Sequence, residues 1–385
     1  MTDNDTLSLF KPDTVVSSVV VDEDSGVEVE DTSVSDPITE PFDPALIRVE
    51  SKLLTLDILL TRIRENEIDL APDFQRASIW TRAAQSRLIE SVLLRIPLPA
   101  FYMDATNEDK WLVVDGLQRL TSLNKFVIEK TLKLEGLEFL KQFKDKTYDE
   151  LPRNYQRRIA ETQITVFLIE ENTPPEVKFN IFKRINTGGM PLSAQEIRHA
   201  LNQGVATRFL AQLAESDEFK QATNNSIRPI RMADREVILR FLAFTITPYT
   251  RYRTKDFDGF LNDTMAIINK MPEAEILELN NKFKRAMNTA HAIFGDDAFR
   301  KRYDPSQRKM PFNKALFESW SVNLGRLSPE VIERLIQRKE QVKYKFIELM
   351  RNPNFHISVT QATGDIRQVE TRFKSIEDLL AEVST

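Results

Sequence analysis

Asp115, Gly116, Gln118 and Arg119 fall together in WLVVDGLQRLTSL (111–123). An apolar run that suits a strand ends at Asp115-Gly116. An amphipathic helix follows at once, with Leu120, Leu123 and Val127 on one face. A strand-to-helix turn led by glycine leaves backbone N–H groups without intrahelical partners, and with the helix dipole these attract an anion. In that setting Gly116 admits a phosphate closely and Arg119 forks onto its oxygens. Asp115 would hold a magnesium ion or orient the arginine. The same spacing also fits a plain turn in which Asp115 caps the helix and Arg119 is a surface charge; spacing alone leaves both open.

Two further stretches carry polar groups of the same kind. APDFQRASIW (71–80) sets Asp73, Gln75 and Arg76 in a loop before a helix, with Phe74 and Trp80 as apolar anchors. Adjacent Gln and Arg are multi-donor groups suited to phosphates or base edges. FNIFKRINTGGMPLSAQEIRHAL (179–201) places an Asn186-Thr187-Gly188-Gly189 turn between two helices. Ser193 and Glu196 have capping-box spacing for the second helix, which explains them structurally. Arg184, Asn186 and Arg198 flank the turn within reach of a ligand.

The elements that must position these residues follow from periodicity. Order is expected from about Leu53. Leu56, Leu59, Leu60 and Ile63 are spaced for a helix within 55–69, and Ala84, Leu88, Val92 and Ile96 for the next. Strands are predicted at 97–103, 111–114 and 162–169, with helices at 117–128, 153–160 and 175–185. Beyond about residue 205 strand signals nearly vanish. Helices are predicted at 206–214, 233–246, 257–270, 273–294, 312–324 and 328–350. A strand or loop is expected at 355–365, and a terminal helix from 366. The fold class is therefore α+β, an α/β domain over 46–204 followed by an all-helical domain over 205–385.

Composition sets the outer bounds. The 385 residues include no cysteine, which removes disulfides, thiolate nucleophiles and Cys-ligated metal sites. Three scattered histidines (His199, His291, His356) do not make a histidine-rich metal site. No apolar run is long enough to cross a membrane and the N-terminus lacks a signal profile, so a cytoplasmic protein without a membrane partner is expected. Residues 1–50 carry 13 acidic and two basic side chains, leaving 51 basic against 45 acidic groups in the remainder. Residues 1–45 show no persistent period and read as a disordered acidic tail, either a solubilising segment or a DNA mimic competing for the basic body. The body's basic clusters are Lys141/Lys144/Lys146/Arg153/Arg157/Arg158, Arg228/Arg231/Arg235 and Arg300/Lys301/Arg302/Arg308/Lys309. With Tyr155, Tyr252 and Tyr303 interleaved, they suit a phosphate-tracking groove or ordinary solvated helix faces.

FQRASIW, DGLQRLTSL and RINTGGMPLSAQEIR, in that order, resemble the family typified by the N-terminal domain of GmrSD restriction endonucleases, within the wider ParB/sulfiredoxin-like fold. The resemblance spans about 50–205. Gln75, Arg76 and Trp80 match its first motif; Asp115, Gly116, Gln118 and Arg119 match its second, with Leu117 where a glutamine is common; Asn186, Thr187 and Gly189 match its third. The resemblance implies a nucleotide-binding, NTP-hydrolysing, DNA-associated protein of a bacterial defence system. The nucleotide would be held by Gln75, Arg76, Gly116, Gln118, Arg119 and Asn186, with Mg2+ at Asp115. Asp115 and Arg119 would be catalytic, and Asp73 and Glu196 are candidate bases. An HNH nuclease module is not expected, since neither His291 nor His356 adjoins an acidic-His pair. DNA, a separate nuclease or effector and a second copy of the chain are the partners implied. The alternative is a non-catalytic DNA-binding or scaffold module that recruits a separate effector nuclease.

Overall fold

The computed structural model describes residues 20–22, 25–30, 47–70, 80–171, 173–185, 192–254 and 256–385. The chain divides into two compact units. One is Phe42–Leu201; the other is Asn202–Thr385 together with the N-terminal segment. Gln75, Arg76, Asn186 and Asp73 lie outside the described residues.

The first unit is built on a five-stranded mixed sheet. Its strands are β1 (Val49–Thr55), β2 (Ile68–Asp69), β3 (Phe101–Asp104), β4 (Trp111–Asp115) and β5 (Gln163–Ile169), in the order β1-β5-β3-β4-β2. The β1/β5 and β3/β4 pairs are antiparallel; β3/β5 and β2/β4 are parallel. Side chains alternate across a strand, so Ile164, Val166 and Leu168 of β5 all enter the core. Helices α1 (Leu56–Arg64), α2 (Arg82–Leu93) and α3 (Leu117–Leu123) contribute Leu56, Leu59, Leu60, Ile89, Val92, Leu120 and Leu123 to the same core. Burying each such side chain is worth roughly 1.5–3 kcal/mol. Helices α4 (Arg153–Glu161), α5 (Pro175–Ile185) and α6 (Ala194–Leu201) complete the unit. The architecture is the α+β class expected, with β3, β4 and β5 at the three predicted strands and β1 and β2 added to them.

Several local differences have simple causes. β1 starts at Val49, ahead of the expected onset of order, because VESKLLT is charged enough to hide its alternation. β3 starts at Phe101 rather than at 97, since Pro97 and Pro99 have no N–H for a ladder. The helix after β4 passes at Asn124–Ile128 into a π turn. In the second unit the predicted 328–350 helix is two, Pro329–Gln337 and Lys339–Arg351, broken at Arg338 (φ −99°, ψ 22°). The expected strand or loop at 355–365 is instead led by a short helix, Pro353–Ser358, capped by the Asn352 side chain.

The second unit packs helices around an aromatic core that includes Phe241, Phe244, Phe283, Phe317, Trp320 and Phe373. Inside it lies a fully buried ion pair, with Arg372 Nε 3.0 Å from Glu318 Oε1 and neither side chain exposed. Arg240 stands 3.5 Å from Glu318 on its other side.

Within the segment expected to be a disordered tail, residues 20–22 and 25–30 are described and are hydrogen-bonded. There a hairpin closes through Asp22 N–H to Val27 C=O (2.9 Å) and Val29 N–H to Val20 C=O (2.9 Å), and it docks by Glu28 N–H on Phe312 C=O (2.9 Å). Val27 is buried, and two glutamates find cations. Glu28 pairs with Lys301 and accepts from Asn313 Nδ2 (3.2 Å), while Glu30 receives Arg240 Nη1 at 2.8 Å and a second bond from Nη2. A composition-based reading of disorder fails here because the partners of these carboxylates are more than 200 positions away in sequence.

Candidate functional site

The β4–α3 turn forms as its sequence requires, with Asp115 ending the strand and Gly116 at φ +104° opening the helix. The glycine is demanded by packing as well as by its backbone. A Cβ there would lie 2.4 Å from Phe101 Cδ1 and 3.2 Å from Arg119 Nη2. Any side chain at this position would collide with the Phe101 ring, so only glycine fits the turn.

Arg119 is not a surface charge. It is 8 % exposed, and both terminal nitrogens are engaged. Nη1 donates to Pro99 C=O. Nη2 donates to Ala100 C=O (3.1 Å) and to Asp115 Oδ2 (2.7 Å). The guanidinium also stacks over the Phe101 ring at 4.3 Å. Burial pulls its pKa down and Asp115 offsets part of that effect. The arginine thus clamps the segment entering β3 to the start of α3, with Asp115 orienting it. Of the three roles considered for Asp115, orientation of the arginine is seen directly in the 2.7 Å pair. No side chain caps α3 at Gly116, whose C=O accepts the first intrahelical bond from Leu120 N–H (2.9 Å).

Gln118 points the other way. Its Oε1 accepts from the Trp80 backbone N–H at 3.4 Å, and Gln85 Nε2 donates to Trp80 C=O at 3.1 Å. Trp80 packs against the core as an anchor. Two motifs separated by about 40 positions thereby meet: the end of FQRASIW is tied to the second residue of α3. Gln75 and Arg76 lie in 71–79, outside the described residues, as does Asn186.

Ser193 and Glu196 form the expected capping box, with Ser193 N–H to Glu196 Oε2 at 2.6 Å and Glu196 N–H to Ser193 Oγ at 3.1 Å. A base role for Glu196 would compete with that cap. Arg198 is 2 % exposed, beside Gln195 (3.2 Å) and over Phe179.

Sequence reasoning missed Lys178, Asp104 and Thr106. Lys178 Nζ is buried 3.5 Å from both Asp104 oxygens and bonds Thr106 Oγ1 at the end of β3. The signal was available, since Lys178 sits between Val177 and Phe179 on the buried face of α5. Glu90, also missed, accepts from the backbone N–H groups of Glu138, Phe139 and Leu140 (2.7–3.0 Å). Burial opposes its ionisation, but those donors hold its carboxyl below the ordinary range.

The basic clusters divide. Arg300 and Lys301 are buried and bonded, Arg300 to Met310 C=O (2.6 Å) and Ser226 Oγ (2.7 Å), Lys301 to Glu28. They leave the expected DNA groove. Arg158 donates to Leu93 C=O (2.6 Å), whereas Lys141, Lys144, Arg308 and Lys309 are exposed. Among the described residues no group of three His, Asp or Glu side chains is placed to hold a metal ion, and no helix is long and apolar enough to cross a membrane. Asp115 by itself suits a magnesium ion that arrives with a nucleotide, because such ions often take one or two carboxylates plus phosphate oxygens. One of its oxygens is already committed to Arg119.

The first unit is an α/β domain whose polar site is organised by a strand–glycine–helix turn to which Trp80 is hydrogen-bonded. Residues 56–202 match the family described as the GmrSD restriction endonuclease, N-terminal domain. No curated protein matches the chain.

Proposed function

We propose that this chain is a DNA-associated component of a restriction-like bacterial defence system, and that its 56–202 domain binds and hydrolyses a nucleoside triphosphate in the cytoplasm. The observation that supports the reading is the bond from the Trp80 N–H to Gln118 Oε1, which joins the described end of the first motif to the Asp115–Arg119 turn. Gln118, Gln75, Arg76 and Asn186 are the ligand contacts in this proposal. Arg119 is the positioning residue that holds the turn. Asp115 would hold Mg2+, which would supply neutralisation of phosphate charge. The alternative of a non-catalytic DNA-binding scaffold is favoured by the engagement of Arg119 with Pro99, Ala100 and Asp115, which leaves fewer cations for a transferred phosphoryl group.

The test is phosphate release from the four ribonucleoside triphosphates with Mg2+, with and without DNA, for wild type, Gln118→Ala and Arg76→Ala. Turnover lost in Arg76→Ala at unchanged thermal stability supports the reading, and stimulation by DNA supports coupling. Neither turnover nor nucleotide binding in wild type, alongside salt-sensitive DNA affinity, would replace it with the scaffold.

A further inference from the structure

β1 is an outermost strand of its sheet, and among the described residues no strand pairs with its outer edge. The inner edge settles which backbone groups point outward. Glu170 N–H donates to Arg48 C=O (3.1 Å) and Leu56 N–H to Thr162 C=O (2.9 Å), at the two ends of the β1/β5 ladder. In an antiparallel ladder every second residue bonds to a given neighbour. Arg48, Glu50, Lys52, Leu54 and Leu56 therefore bond inward to β5. Val49, Ser51 and Leu53 turn their N–H and C=O groups outward, and Thr55, the N-cap of α1, gives its C=O to the helix. The side chains of that second set include exposed apolar groups, Val49 at 37 % and Leu53 at 64 %, and Ile47 just before the strand is 41 % exposed.

We propose that this edge is the docking surface for a second copy of the chain, with the two β1 strands antiparallel about a two-fold axis at Ser51. The choice of axis comes from charge. An axis at Glu50 sets Glu50 against its own copy and Arg48 against Lys52. An axis at Lys52 sets Lys52 against its own copy. An axis at Ser51 sets Glu50 against Lys52 twice and Val49 against Leu53 twice, with Ile47 against Thr55. The Glu50–Lys52 pairs then occupy the non-hydrogen-bonded positions, where side chains approach most closely. Within one chain Lys52 Nζ already lies 2.9 Å from Glu50 Oε2, so pairing closes a ring of four alternating charges. The outward groups from Val49 to Leu53 supply about six main-chain hydrogen bonds, two for each outward-facing pair. The two sheets become one, and the apolar row of Val49 and Leu53 continues across the junction. A charged lysine on an edge strand is also a device that discourages pairing, and the experiment separates the two roles.

The full chain has no cysteine, so a single introduced thiol reports one contact. Ser51→Cys would stand opposite its own copy at a Cα separation of about 5.5 Å, inside the range a disulfide bridges. Leu53→Cys would face Val49, with its own copy about 13 Å along the partner strand. Mild oxidation should give covalent dimer with Ser51→Cys and not with Leu53→Cys. In sedimentation of the cysteine-free chain, wild type should dimerise, Glu50→Lys should weaken the dimer about tenfold, and Glu50→Lys combined with Lys52→Glu should restore it. Equal cross-linking of both cysteine variants would overturn the proposal. So would a wild type that stays monomeric throughout a concentration series, or a dimer indifferent to Glu50→Lys. All substituted side chains are exposed or half-exposed, and unchanged thermal unfolding of each variant confirms that the fold is intact.

Discussion

Replacing Arg119 by alanine removes both terminal nitrogens from a clamp of three oxygens and one ring. Two main-chain carbonyls, Pro99 and Ala100, lose a charged donor in a place where the arginine itself is only 8 % exposed. Each orphaned acceptor costs about 1–2 kcal/mol. The Asp115 pair adds little, because that carboxylate side chain is 32 % exposed and water takes over its solvation. The stacking over Phe101 at 4.3 Å contributes about 0.5–1 kcal/mol. The total is about 3 kcal/mol, which for a unit of this size lowers the melting temperature by about 6–12 °C. Arg119→Lys should fall between, since an ammonium keeps one bond but cannot fork. Calorimetry of the full chain, following the transition of the Phe42–Leu201 unit, measures this. If Arg119→Ala melts within about 1 kcal/mol of wild type and yet loses nucleotide binding, the guanidinium serves a ligand and the clamp assignment is wrong. A consequence for experiment is that loss of activity in Arg119→Ala by itself does not identify a phosphate contact.

Gly116→Ala should destabilise by more than about 2 kcal/mol, since it forces a left-handed residue to carry a Cβ 2.4 Å from Phe101; urea unfolding would read this, and a neutral outcome would mean that the turn can relax. Glu318→Gln leaves Arg372 and Arg240 short of a buried counter-charge, so a loss of about 3–5 kcal/mol is expected in the helical unit by the same assay. Burial would raise the Glu30 carboxyl, but Arg240 and Lys314 outweigh it and hold the group at about 2 against an ordinary 4.5. A depressed carboxylate contributes stability that is complete above pH 4.5 and is lost as pH falls towards 2, here about 3 kcal/mol. An acid titration of unfolding in wild type and Glu30→Gln should converge at the bottom of that window. Curves that stay parallel would show that Glu30 is not linked to folding.

Local pattern determined much of this protein. The alternation in TQITVFLI, the helical spacing of Leu56, Leu59, Leu60 and Ile63, and the Ser193–Glu196 cap are interactions among near neighbours, legible without a fold. The order of the three polar motifs was enough to indicate the domain family that residues 56–202 match. Tertiary structure decided what pattern cannot encode, namely which distant groups share a desolvated space. Arg119 looked like a free cation because Pro99 and Ala100, whose carbonyls it clasps, have no sequence signature as acceptors. That Gly116 can bear no side chain was hidden because nothing local says that the Phe101 ring lies against it. Glu28 and Glu30 looked like parts of a solvated acidic tail until Lys301 and Arg240 were brought beside them. A side chain's type and neighbours fix its local backbone, but its charge acquires a partner, and therefore a role, only when the chain closes around it.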